Sequence, residues 1–169
     1  MRDLVVILHN VRSIHNVGSI FRTAEAAGAK KIYLAGFTPS PVDRVGALRS
    51  QFRKVSLGAE RTLPWEKISN VNGLMQKLRE KQNYRVYAVE QTDRSKPYYE
   101  LRRVPRRCAL ILGNEVRGIP RSVWKNADEV MDIPLQGKKE SLNVSVAAGI
   151  ALFHFLHAGE SGIPAHRGV

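Results

Sequence analysis

Apolar positions along the chain follow two rhythms, one short and continuous, the other helical. The run Leu4-Val5-Val6-Ile7-Leu8, bounded by polar residues, predicts a strand buried on both faces. Ile20, Ala24 and Ala27 then recur at helical spacing, with Asn16 placed to cap the helix and Gly28 to end it. Lys31–Ala35 predicts a second strand. From Gly36 to about Arg61 neither rhythm holds, and Pro39, Pro41, Gly46 and Gly58 predict a long irregular loop of the kind that carries function. The helical rhythm returns with Val71, Leu74, Met75 and Leu78, predicting a helix over Asn70–Lys81. Tyr84–Glu90 alternates and predicts a strand leaving the sheet. After the basic connector Arg102–Arg107 come an apolar strand, Cys108–Leu112, the glycine-bounded loop Gly113–Gly118 and a short helix opened by Pro120. Val130–Leu135 predicts the last strand. Past the loop Gln136–Glu140, Ser141 or Asn143 caps a helix running to about His157.

Strands alternating with helices define an α/β fold with a mostly parallel sheet flanked by helices, one domain over residues 1–157 and a polar tail over 158–169. Ligands of such sheets bind beyond the strand carboxyl ends. Three loops there carry unusual polar residues: Asn10–Arg22, Gly113–Gly118 and Gln136–Asn143. The final helix is apolar on almost every side, so both sides need cover, and a subunit interface supplies it in so small a chain.

Charge narrows the partner. Among 169 residues, 27 Lys and Arg face 15 Asp and Glu, a net charge of +12 that favours a polyanion such as nucleic acid. The single Cys108 excludes an internal disulfide framework or a cysteine zinc site and fits a reducing compartment. No apolar stretch approaches the roughly 20 residues of a membrane span, so the cytoplasm is expected, with no membrane partner. The dinucleotide fingerprint G-x-G-x-x-G is missing, and Ile119-Pro120 stand where a phosphate loop needs Lys-Ser/Thr. His154 and His157 lack a neighbouring carboxylate or thiol, so they read as core or interface histidines and no metal is expected. Without G-x-S-x-G, and with Cys108 inside an apolar strand, hydrolase chemistry has no support.

Asn16-Val17-Gly18-Ser19-Ile20-Phe21-Arg22-Thr23-Ala24 resembles the first motif of the SpoU/TrmH family of RNA ribose methyltransferases. Leu110-Ile111-Leu112-Gly113-Asn114-Glu115-Val116-Arg117-Gly118-Ile119 resembles the second. Ile133-Pro134-Leu135, followed by Ser141-Leu142-Asn143-Val144-Ser145-Val146-Ala147, resembles the third. The resemblance implies a deep trefoil knot at the carboxyl end of the sheet, a homodimer paired through the knotted regions and S-adenosylmethionine (SAM) as cofactor. With a first strand that begins at Leu4, a catalytic domain without the N-terminal RNA-capturing domain of many relatives is expected, a departure from the family pattern.

By the same resemblance Arg22 is the central catalytic residue, near the ribose hydroxyl and the adjacent phosphate. An arginine, whose free pKa is about 12.5 or above, acts there by stabilising the alkoxide or, if strongly perturbed, as a general base. Asn16 orients the loop or the ribose. Glu115 organises the site through Arg22, and Ser141 and Asn143 lie near cofactor and substrate. Gly113, Ile133 and Leu142 enclose the adenosine. RNA would then be held by the domain itself, through Arg44, Arg49, Arg53, Lys54 and Arg61 in the long loop. Val89–Ser95 with Gly113–Gly118 is similar to tRNA D-loop guanosine enzymes, which favours tRNA over ribosomal RNA. A non-catalytic RNA-binding or assembly protein is the alternative of a different class.

Overall fold

The computed structural model describes residues 2–158, so the expected tail beyond 158 lies outside the described residues. Seven strands form one sheet: β1 (Asp3–His9), β2 (Lys31–Ala35), β3 (Trp65–Ile68), β4 (Arg85–Val89), β5 (Lys96–Pro97), β6 (Arg107–Leu112) and β7 (Glu129–Asp132). Their order is β3-β2-β1-β6-β4-β7-β5, and every pairing is parallel. The helices are α1 (Ile14–Ala26), α2 (Ser50–Ser56), α3 (Ala59–Thr62), α4 (Val71–Gln82), α5 (Arg121–Trp124) and α6 (Val144–His157).

The side-chain period of two in β1 divides the core. Leu4, Val6 and Leu8 meet α1 and α6 through Ile20, Phe21, Ala148 and Leu152, whereas Val5 and Ile7 share the opposite face with Val71, Met75 and Leu78 of α4. Each such residue, fully buried, contributes about 1.5–3 kcal/mol. Tyr87 and Phe155 meet edge to face at 4.8 Å, so α6 is seated on the sheet as well as on α1. Arg2 ties the two ends of the fold together, donating to the carbonyls of Phe155, Leu156 and Ala158 at the end of α6.

Several expectations need correction. Ser13, not Asn16, caps α1: its side chain accepts from the Asn16 N–H at 3.3 Å, and Asn16 stands in the first turn. The segment 36–61 is not one irregular loop, for α2 and α3 lie within it. Packing explains α2. A Cβ at Gly18 of α1 would lie 2.4 Å from Val55, so the two helices approach closely, and Phe21 meets Phe52 at 5.1 Å. β4 does not leave the sheet but sits between β6 and β7. β7 stops at Asp132, three residues early, because Pro134 has no N–H to continue a ladder. Of the two caps considered for α6, the structure selects Asn143, which accepts from the Ser145 N–H at 2.8 Å.

Candidate active site

Val89, Leu112 and Asp132, the last or next residues of β4, β6 and β7, open on a cavity of about 420 Å³. That is within the range of about 300–1,000 Å³ common for small-ligand sites. Gly113, Glu115, Ile133, Ser141 and Leu142 line it, so all three expected cofactor-binding residues and two expected catalytic ones converge. Ile133 and Leu142 bring apolar surface, together with Leu135 and Val144.

Charge in the cavity runs against the rest of the chain. Glu90, Glu115, Asp132 and Glu140 line it, against Arg117 alone. Glu90 lies in the Val89–Ser95 stretch but is not among the expected site residues. Its carboxylate accepts from the N–H of Ile119 and, at 3.0 Å, from that of Gln91. The one available signal was its position, an acid directly after an apolar strand, where this fold places ligands.

Glycine at 113 also meets a demand of the loop itself. A Cβ there would lie 2.5 Å from the Gly118 carbonyl carbon and 2.6 Å from the Ile119 nitrogen. Gly113 therefore lets the 113–118 loop close on itself, and the loop then forms a cavity wall. An Asn114–Gly118 bridge holds the loop shut.

Glu115 joins the three motifs. Its carboxylate accepts from the N–H groups of Arg12 and Ser13, each at 3.0 Å, and from the Asn16 amide at 3.0 Å. Asn143 donates in turn to the Asn16 side-chain oxygen at 3.2 Å. Burial pushes the Glu115 pKa up, but the Arg12 and Ser13 N–H groups, its own N–H and the Asn16 amide prevail and hold it below the ordinary carboxylate value. An ionised acid fully engaged as an acceptor fixes loops rather than shuttling protons.

Arg22 stands outside the cavity of its own chain. It is exposed on α1, does not line the cavity, and makes no contact with Glu115 among the described residues. Within the chain, the Glu115 carboxylate is engaged by Asn16 and by the N–H groups of Arg12 and Ser13.

The cationic residues of the second segment are exposed, as Arg44, Arg49, Arg53, Lys54 and Arg61 all face solvent. Arg49 also donates to the Val42 carbonyl at 3.3 Å. Burial drives the Cys108 thiol up to about 12, leaving it inert. His154 bonds the Leu101 carbonyl at 3.0 Å and meets the Tyr98 ring edge-on, a packing role. Among the described residues, no three His, Cys, Asp or Glu side chains gather to hold a metal, and no helix is long and apolar enough to cross a membrane.

An open parallel sheet, with a ligand-sized cleft where β4, β6 and β7 end and a last helix returning to the first, defines an α/β protein with room for a small molecule at its carboxyl edge. Within that class the chain belongs to the SpoU rRNA Methylase family, whose profile matches residues 3–153. It is 34% identical over 152 residues to the 23S rRNA (guanosine-2'-O-)-methyltransferase RlmB of Salmonella typhi, covering 90% of this chain and 59% of that protein. The chain therefore spans about three-fifths of the length of the curated relatives it matches. Among solved structures, the AdoMet-bound rRNA methyltransferase of Sinorhizobium meliloti superposes with a TM-score of 0.82 at 29% identity, covering 94% of this chain and 57% of that one. The TrmH/SpoU tRNA modifying enzyme of A. aeolicus gives 0.79 at 25% identity, covering 94% and 76%.

Proposed function

We propose that this chain transfers a methyl group from SAM to a ribose 2′-hydroxyl of RNA, with ribosomal RNA the favoured substrate. One observation carries the reading: in a chain of net charge +12, four carboxylates and one arginine converge on a single cavity. An acidic cleft in a basic protein suits a cationic small ligand surrounded by a polyanionic substrate. SAM has that character, with a sulfonium and an ammonium, and Ile133, Leu135 and Leu142 offer apolar surface to its adenine. When bound, SAM supplies an electrophilic methyl group.

The chain's own residues supply orientation and charge. Glu115 and Asn143 hold Asn16 between them, so the first motif's loop presents a fixed edge to the ribose. Ser141 lines the cavity with a hydroxyl free of the helix cap. Arg22 stabilises the alkoxide, or draws the proton from the hydroxyl, from a second chain. Thr23, its neighbour in sequence, lies 3.7 Å from where a Cβ on Gly149 would stand, so the helix that carries Arg22 packs on α6. The surface of α6 carries an uncovered apolar stripe, with Val146 51% and Phe153 43% exposed, which a homodimer would bury. A trefoil knot belongs to the same reading, supported by the return of α6 from β7 across the sheet to pack on α1 and β6. The cytoplasm remains the proposed compartment, in keeping with RNA as substrate and a buried free thiol.

Ribosomal RNA displaces tRNA as the favoured substrate because relatives named for it reach 34% identity, while the tRNA-named structure stands at 25%. tRNA is the second reading, kept by that structure and by the Val89–Ser95 stretch. The test is transfer of labelled methyl from SAM to purified ribosomal RNA and tRNA, followed by nuclease digestion. Label on a ribose of ribosomal RNA is expected. RNA binding with neither SAM binding nor transfer would reduce the chain to a non-catalytic RNA-binding protein.

A further inference from the structure

The 113–118 loop has a second side. There a cavity of about 460 Å³ is lined by Asn10, Arg12, Phe37, Asn114, Val116 and Arg117, among others. Asn114, Val116, Arg117 and Gly118 line both cavities, so the loop is a common wall. Unlike the first cavity, this one has no carboxylate in its lining and two arginines at its rim.

Its apolar residues are held out in water. Phe37 is 60% exposed and Val116 82% exposed, and Phe37 meets no other aromatic ring among the described residues. Neither placement is loose. The Phe37 N–H donates to Asn10 Oδ1 at 3.1 Å, and the Asn10 carbonyl accepts from the Asn114 side chain at 2.8 Å. Asn114 Oδ1 accepts in turn from the N–H groups of Val116 and Arg117, at 3.0 and 2.9 Å. Asn10 has φ 59°, and a Cβ on its neighbour Gly36 would lie 1.9 Å from Asn10 Oδ1, so only glycine fits the turn leading into Phe37. Two linked asparagines, Asn10 and Asn114, thus fix both walls, and the ring they present stays largely in solvent.

The geometry points to a nucleobase-stacking subsite for an unpaired nucleotide beside the methylated one, its base against Phe37 and Val116 and its phosphates on Arg12 and Arg117. Single-stranded RNA is gripped in this way, by a sequence-tolerant aromatic platform with cations along the backbone, whereas paired bases offer no free face. The wall shared with the acidic cavity places this nucleotide next to the reacting ribose, and in that respect the inference rests on the methyl-transfer reading. It extends that reading to the form of RNA accepted: the target must be splayed, not paired.

The test uses the full chain, a short fluorescein-labelled single-stranded RNA of mixed sequence, and the same strand annealed to its complement. Phe37→Ala should weaken single-strand binding about tenfold while leaving duplex and SAM binding unchanged. Phe37→Trp should retain affinity, and its added emission, relative to the parent, should be quenched by the single strand. Unchanged single-strand affinity in Phe37→Ala, equal weakening toward the duplex, or no quenching in Phe37→Trp would overturn the subsite. So would a change in oligomeric mass of Phe37→Ala by light scattering, which would make the shelf a subunit contact. Absence of methyl transfer in the parent would defeat the proposed function, yet the stacking measurement would still be readable because it requires no transfer.

Discussion

The two halves of the sheet's carboxyl edge are built on opposite terms. Around β4, β6 and β7 the backbone itself is the instrument: Gly113 closes a loop on its own chain, and Glu90 and Glu115 spend their oxygens on N–H groups. Beyond β1 and β2 the chain instead puts Arg44, Arg53, Lys54 and Arg61 into solvent on α2, α3 and the loop before them. A small cationic ligand needs fixed geometry, because its few contacts must each be correct. A polyanion needs a field more than a mould, because phosphate contacts position without reading sequence. The same fold therefore gathers its carboxylates at one half and leaves these cations in solvent on the other.

Arg22 stands between the halves, and removing it should have the largest effect. In Arg22→Ala, single-turnover methyl transfer should fall by about two to four orders of magnitude with SAM binding retained. Mixing that variant with Leu142→Arg should restore part of the activity, since the hybrid dimer then holds one complete site, the intact cavity of the Arg22→Ala chain served by the other chain's Arg22. A mixture as inactive as its parts would confine Arg22 to its own chain.

Leu142→Arg places a large cation in the acidic cavity and removes apolar lining. SAM affinity by calorimetry should drop by about tenfold or more, while RNA binding keeps its salt dependence. A folded variant with parental SAM affinity would move the cofactor elsewhere.

On the other half, replacing Arg49, Arg53 and Lys54 with glutamine should lower the slope of log affinity for RNA against log salt by about two. SAM affinity should hold. Equal slopes for parent and variant would mean that RNA lies elsewhere on the surface.

Glu115 is the joint between motifs, and its loss should act mildly on stability. With its folded pKa depressed, its contribution is complete above the unfolded carboxyl value of about 4.3 and is lost as pH falls through the folded value. Glu115→Gln should therefore melt a few degrees lower at pH 7, about 2–4 °C for each kcal/mol, and the gap to the parent should close in acid. A gap that persists unchanged at low pH would deny the carboxylate its structural role.

Much of this contrast was legible in the sequence, but unevenly. Lys31–Ala35 was readable, and the cap of α6 was narrowed to Ser141 or Asn143, because local rhythm and chemistry agree with the fold there. Gly113, Ile133 and Leu142 were found through motif resemblance, although the reason for Gly113 lies in contacts with Gly118 and Ile119 that spacing does not reveal. α2 was missed because Arg49 offers no capping side chain and Phe52 is its one buried apolar residue, so neither a start signal nor a face could be read. β3 was missed because Glu66 and Lys67 are both exposed on a four-residue edge strand. Asn16 was taken as a cap because its residue type suits one. Its tertiary partners, Glu115 and Asn143, come from the other two motifs.

The parallel register at the centre of the sheet has a consequence for how the molecule is made. β1 pairs on one edge with β2, but its other edge waits for β6, with Leu4 opposite Cys108 and Leu8 opposite Leu112. During synthesis a deeply buried strand thus waits with an open apolar edge until β6 has been made. Its partner is not yet made, and contacts this distant in sequence form slowly even afterwards. Until β6 arrives, the nascent chain offers a ready template for strands of other chains, and holding that edge apart is a task for chaperones at the ribosome.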